Sequence, residues 1–112
     1  MIYAAPGAAG APVTFKPRYD NFIGGKFVAP LGGEYFDVIT PISGTVYTQA
    51  ARSGEADINL ALDAAHAAKD KWAATAPAER AAILLKIADR LEQNLEKLAY
   101  ADGTAAAETI VV

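Results

Sequence analysis

From residue 21 to 51 the apolar positions recur at strand spacing, and from 53 to 99 they recur at helix spacing. In the first stretch, Phe22-Ile23 and Lys26-Phe27-Val28 flank Gly24-Gly25, a pair that supplies the positive φ angles of a tight hairpin turn. The loop Pro30-Leu31-Gly32-Gly33 follows. Glu34 to Ile39 then alternates, with Tyr35, Asp37 and Ile39 on one side and Phe36 and Val38 on the other. Pro41 to Gly44 reads as a turn, because proline presets φ at its first corner. Thr45 to Gln49 alternates again. These segments predict a small antiparallel meander of three or four strands.

The second stretch predicts two helices. Ser53 is the expected N-cap of the first, Glu55 and Asp57 stand in its first turn, and Lys69 and Lys71 stand near its end, an order that suits the helix dipole. Its apolar stripe is Ile58, Ala61, Leu62, Ala65, Ala68 and Trp72. Pro77, a favoured first-turn residue, opens the second helix, with Glu79 placed to reach back to free amides. Its stripe is Leu84, Ile87, Ala88, Leu91, Leu95 and Leu98. The short link Ala74-Thr75-Ala76 makes the two helices antiparallel neighbours.

The ends read differently. Residues 1–20 are rich in Ala, Pro and Gly, and Pro6, Pro12 and Pro17 are too closely spaced for a helix or central strand. They predict an extended arm that lies along a larger surface through Ile2, Tyr3, Val13, Phe15 and Tyr19. Residues 101–112 form an atypical tail: Asp102-Gly103-Thr104 is expected to break the helix, and Thr109-Ile110-Val111-Val112 is apolar and β-branched. The expected class is therefore an α+β fragment, one incomplete domain made of arm (1–20), meander (21–51), helical hairpin (53–99) and tail.

Composition narrows the function. Of 112 residues, 53% are hydrophobic, but 26 are alanine, so the share of large core-forming side chains is modest. A chain of this length makes at most one small domain. There is no cysteine, which removes disulfides, thiolate metal sites and a cysteine nucleophile. The net charge is −3 and the pI is near 5.0, with basic residues scattered, which argues against nucleic acid as a partner. No run is long and apolar enough to span a membrane, and the start lacks the basic and apolar regions of a secretory signal. A soluble cytoplasmic protein is expected.

Few residues are candidates for chemistry. His66, the single histidine, has no carboxylate or cysteine at triad or metal spacing, which favours a surface or packing role. Gly24-Gly25 leads into a strand and not a helix N-terminus, so a hairpin is favoured over a phosphate loop. Asp89, Glu92 and Glu96 share their helix with Lys86, Arg90 and Lys97, which marks a solvated face and not a carboxylate site. The residues alone give no visible active site.

Several segments resemble one family. Tyr19 to Val28 resembles the opening strand of the NAD-dependent aldehyde dehydrogenase superfamily, and Phe36-Asp37-Val38-Ile39-Thr40-Pro41-Ile42-Ser43-Gly44 resembles its second strand and N-P-x-T-G-type turn, with Thr40 where many members have Asn. Asp57-Ile58 with Ala61 to Trp72 resembles its first helix, and Ala78-Glu79-Arg80 through Glu92 its second. The arm, Met1 to Gly7 and Phe15 to Tyr19, is similar to bacterial enzymes of the acetaldehyde dehydrogenase type. The resemblance covers roughly the first hundred residues.

The resemblance implies the N-terminal portion of an oxidoreductase that oxidises short aliphatic aldehydes to carboxylic acids with NAD. Such enzymes have a Rossmann-like NAD-binding domain, a catalytic cysteine and a glutamate that activates water, and they form homodimers or tetramers. The cysteine, the glutamate and the nicotinamide-binding turn lie in downstream sequence, so no catalytic or cofactor-binding residue carries over, and no activity or cofactor is expected of this chain alone. In some members a backbone carbonyl at the position of Ile39 binds a monovalent cation. The implied partner is the remainder of the enzyme chain, against which both helix stripes would pack. Family members continue past the second helix into a stretch resembling E-T-x-D-N-G-K-P, which Ala101 to Ala107 do not match, so a truncated or frameshifted enzyme is expected. The alternative is a stand-alone, non-catalytic binding module.

Overall fold

The computed structural model describes residues 4–105, with strands β1 (Asn21–Ile23), β2 (Lys26–Val28), β3 (Tyr35–Ile39) and β4 (Val46–Ala51), then helices α1 (Glu55–Ala74), α2 (Pro77–Gln93) and α3 (Leu95–Ala105). The arrangement is α+β, as expected. The strands pair antiparallel, β1 with β2 and β3 with β4, but as two separate ribbons and not one continuous meander. The reason is local. Gly24 and Gly25 hold φ angles of 61° and 82°, and two positive φ values close a two-residue hairpin that places Phe22 opposite Phe27. The loop from 29 to 34 then turns away from this hairpin, with Gly33 donating to the Pro30 carbonyl at 2.8 Å.

The second ribbon closes over Thr40 to Thr45. Thr40 donates to the Thr45 carbonyl at 3.0 Å and Gly44 to the Thr40 carbonyl at 2.8 Å, with Gly44 at φ 70°. Its register runs Tyr35 to Ala51, Phe36 to Ala50, Asp37 to Gln49 and Val38 to Thr48, then shifts so that Ile39 meets Val46. This bulge leaves Tyr47 as the extra residue and interrupts the strict alternation of the sequence.

The arm supplies what joins the ribbons. Tyr19 bridges Ala50 in parallel, its N–H donating to the Gln49 carbonyl at 2.8 Å and its carbonyl accepting from Ala51 at 3.0 Å. Gln49 also donates to the Pro17 carbonyl, and the Thr48 hydroxyl donates to the Lys16 carbonyl at 2.6 Å. The chain thus passes from the flank of β4 directly into β1. Ahead of this the arm folds into two turns, at Ala5 to Ala8 and Ala8 to Ala11, where Gly7 and Gly10 take positive φ.

The helices depart from expectation in four ways. Gly54, and not Ser53, caps α1: the Ser53 hydroxyl donates to Asn21 Oδ1 at 2.9 Å, while the Asp57 carboxylate accepts from the Gly54 amide at 2.9 Å. At α2 Pro77 is the first helical residue as expected, but no side-chain cap forms. The second helix also divides at Asn94, which takes φ −116° and whose side-chain amide donates to the Arg90 carbonyl at 2.8 Å. Helix α3 then runs through Asp102-Gly103-Thr104 to Ala105. A single interior glycine costs only about 1 kcal/mol against alanine, too little to end a helix whose other residues hold it. Residues 106–112, most of the expected tail, and Ile2 and Tyr3 of the expected arm lie outside the described residues.

The α1 and α2 helices do not pack along their lengths; α1 touches β1 and α2 touches α3. The consequence is an open molecule. Its radius of gyration is 17.4 Å, where a compact domain of this length has about 13 Å. Its accessible surface is 8580 Å², where a folded monomer of this mass has about 5900 Å². Among the described residues Tyr100 is the one buried large hydrophobe, 7% exposed.

Candidate functional site

Two places concentrate unusual features: the start of α1, and the apolar faces of α2 and α3. At the first, Asp57 is 4% exposed and sits in the third position of α1. One carboxylate oxygen accepts from Gly54 and the other from the Leu31 amide at 2.8 Å. These backbone donors, Gly54 first and then Leu31, hold the carboxyl below the usual carboxylate range against the opposing effect of burial. Arg52 donates to the Glu34 carbonyl at 2.9 Å, closing a shallow hollow of about 470 Å³ between the 31–34 loop and the helix start.

This is the single strand-to-helix turn among the described residues, and so the place to test for a dinucleotide. It does not fit one. A pyrophosphate needs free amides and a helix N-terminus without negative charge. Here Asp57 takes the Gly54 amide, and Glu55 adds a second carboxylate in the first turn. Gly24-Gly25 joins two strands and offers no helix end. The glycine-rich turn and the helix start therefore serve the fold.

The other sequence candidates fall in separate places. Ile39 ends β3 immediately after the bulge, with its side chain half exposed, and the next residue, Thr40, is 2% exposed. One carbonyl is one ligand of the several a cation takes, and no three His, Asp or Glu side chains converge among the described residues. His66 is exposed on α1 and its Nδ1 lies 2.8 Å from the Leu62 carbonyl, so Nδ1 carries the proton and donates. Asp89, Glu92 and Glu96 are exposed on α2 and α3, as their charge pattern implied. Sequence reasoning missed the Leu31 contact of Asp57; an acid three residues after a glycine announces a cap, but not a partner twenty-six residues earlier.

The second place is larger. Helix α2 has no buried residue, and Leu84, Leu85, Ile87 and Leu91 are 63%, 67%, 50% and 53% exposed. On α3 Leu95 and Leu98 are exposed, and on α1 so are Ile58, Leu62 and Trp72. Isolated exposed apolar residues are ordinary, but complete stripes at helical spacing are not. Both stripes read from the sequence face outward. They form a surface shaped for covering, with no nucleophile or base within it.

The aldehyde dehydrogenase family model matches residues 27–110. The chain belongs to the aldehyde dehydrogenase family. The match extends into residues 101–110, where the sequence had suggested that resemblance ends. An aldehyde dehydrogenase of Rhodospirillum rubrum is 64% identical over 103 residues, covering 92% of this chain and 20% of that protein. An acetaldehyde dehydrogenase of Pseudomonas aeruginosa is 56% identical over 114 residues, covering 98% and 22%. Among solved structures, HpcC from Thermus thermophilus superposes with a TM-score of 0.78 at 35% identity, covering 81% of this chain and 18% of its own. PnpE in complex with nicotinamide adenine dinucleotide gives 0.75 at 38%, covering 77% and 18%. The chain thus spans about a fifth of the length of the curated aldehyde dehydrogenases it matches. NAD is the cofactor found with family members of this fold.

Proposed function

We propose that this chain is the N-terminal portion of an NAD-dependent aldehyde dehydrogenase that oxidises short aliphatic aldehydes to carboxylic acids, and that it is inactive by itself. Its role is structural: it covers part of the enzyme body, in the cytoplasm, within a homo-oligomer. The observation that carries this reading is the exposure of the α1, α2 and α3 stripes in a chain that spans a fifth of its relatives. Burying apolar area at roughly 25 cal/mol per Å² is the main stabilising term available to so open a molecule. The absence of cysteine supports inactivity, because the family's nucleophile has no counterpart in this sequence. Arm, ribbons and helices act together as one incomplete domain, and the Ile39 carbonyl contributes one ligand to a monovalent cation whose other ligands come from downstream sequence.

The test is complementation. The remaining four-fifths of a relative, such as the Rhodospirillum rubrum enzyme, is mixed with this chain, and NADH formation from acetaldehyde and NAD is followed at 340 nm. The expected result is no turnover by this chain, and a stable complex with the remainder by gel filtration. Turnover by this chain alone rejects the reading. A monodisperse, cooperatively unfolding monomer that ignores the remainder favours a stand-alone binding module instead.

A further inference from the structure

The exposed stripes of α2 and α3 meet in a groove of about 620 Å³. Its apolar lining is Ile83, Ile87 and Leu91 from α2, Leu98 from α3 and Val13 of the arm. Asn94, where the two helices divide, also lines it. The charged residues that line it are Lys86, Arg90 and Lys97, all basic. The helix acids Glu79, Asp89, Glu92 and Glu96 are not among the lining residues. In a chain of net charge −3 this is a local reversal of sign.

We propose that the groove between α2 and α3 seats an amphipathic acidic segment of polypeptide, its apolar side chains against Ile83, Ile87, Leu91 and Leu98 and its carboxylates against Lys86, Arg90 and Lys97. The proposal rests on the reading that this face is covered by protein, and adds the chemistry of the cover. Residues 83, 87 and 91 recur every four along α2, which matches the spacing of anchors that a partner helix presents to a groove. The three cations can then pair with carboxylates at the edge of a desolvated contact, where charge sets orientation and partner choice. A bilayer is a poorer fit, because the acidic chain as a whole is repelled by anionic lipid.

The probe is a fluorescein-labelled helical peptide of about fifteen residues with leucine at helical spacing and glutamate elsewhere. Its counterpart carries lysine for glutamate. Fluorescence anisotropy is read against the 112-residue chain. The expected result is binding of the acidic peptide at least tenfold tighter than the basic one, weakening with salt. The triple variant K86E/R90E/K97E, checked for helix content by circular dichroism, should lose that preference. If the triple variant does not fold, Arg90→Gln and the salt titration of the unaltered chain decide. Equal binding of both peptides, or binding indifferent to salt, overturns the proposal. Complementation separates this from the functional reading: association with the enzyme remainder that survives charge reversal leaves the reading intact and rejects the chemistry. Acidic-peptide binding without association with the remainder does the opposite.

Discussion

The Tyr100 hydroxyl donates to the Ala4 carbonyl at 2.7 Å, closing a separation of 96 residues between the arm and α3. Around it the Phe15 ring stacks on Tyr100 at 6.4 Å and meets Tyr47 edge-on at 4.8 Å. This aromatic cluster ties α3 to the arm and β4, which are already joined to each other through Tyr19 and Gln49. Tyr100→Phe keeps the ring and loses the hydrogen bond, for a cost of about 1 kcal/mol. Tyr100→Ala removes the ring as well and should cost about 3 kcal/mol. Amide exchange across Leu95 to Ala101 measures both: protection should fall slightly in the first and collapse in the second. Equal, small losses would mean that α3 is held by something else.

Asp57 makes a second long-range joint, and its charge makes that joint sensitive to pH. The carboxyl is held below its ordinary value by the Gly54 and Leu31 amides. A carboxyl with a depressed folded-state pKa stabilises fully above its unfolded value, near 4, and that stabilisation is lost as pH falls through the folded value. Between about pH 4 and the more acidic folded value, then, the unaltered chain should lose protection at Gly54 and Leu31. Asp57→Asn should show weaker protection at neutral pH and little further change on acidification. Proton exchange at these two amides, followed by NMR, checks the sign. A pH profile of Asp57→Asn that parallels the unaltered chain would reject the assignment.

What the sequence made legible was local. Gly24-Gly25 fixes its turn by backbone freedom, and Pro77 fixes a helix start by its missing N–H. The apolar stripes of both helices appear at the residues read from their spacing. What remained illegible depends on distance or on competition. Nothing near Ser53 says that its hydroxyl will turn away to Asn21, 32 residues earlier. Nothing near Asn94 says that its amide will fold onto the Arg90 carbonyl and divide the helix. The close packing expected of α1 and α2 as neighbours does not form along their lengths, for another reason. A stripe predicts that a face will be buried, not by what, and here the two stripes do not face each other.

The Tyr35 hydroxyl donates to Asp20 Oδ1 at 2.5 Å, while Arg18 lies over the Tyr35 ring at 4.1 Å. The hydrogen bond to Asp20, then burial and the Asp20 charge, raise the phenol above its ordinary value near 10, with Arg18 opposing. A raised folded-state value stabilises below the unfolded value and is lost as pH rises through the folded one. Absorbance at 295 nm should therefore show two tyrosines ionising late, Tyr35 and Tyr47, the second raised by burial first, and Asp20→Asn should bring only one of them earlier. A titration unchanged by Asp20→Asn would reject the hydrogen bond to Asp20 as the cause at Tyr35.

The β1–β2 hairpin offers a sharper contrast between two glycines. Gly25 stands at φ 82°, where a β-carbon is strained whatever the space around it, whereas Gly32 needs no positive φ and has open space beside it. Gly25→Ala should destabilise by about 1 kcal/mol through backbone strain alone. Gly32→Ala should stay within about 0.5 kcal/mol of the unaltered chain, since a surface change that meets nothing has little to act on. The first variant should also loosen the cross-strand pair Phe22–Phe27, whose rings meet edge-on at 5.2 Å. Nuclear Overhauser contacts between these rings, with denaturant midpoints for both variants, read the difference. If Gly32→Ala matched Gly25→Ala in cost, the turn's φ would not be what holds the hairpin, and the cross-strand aromatic pair would have to carry it.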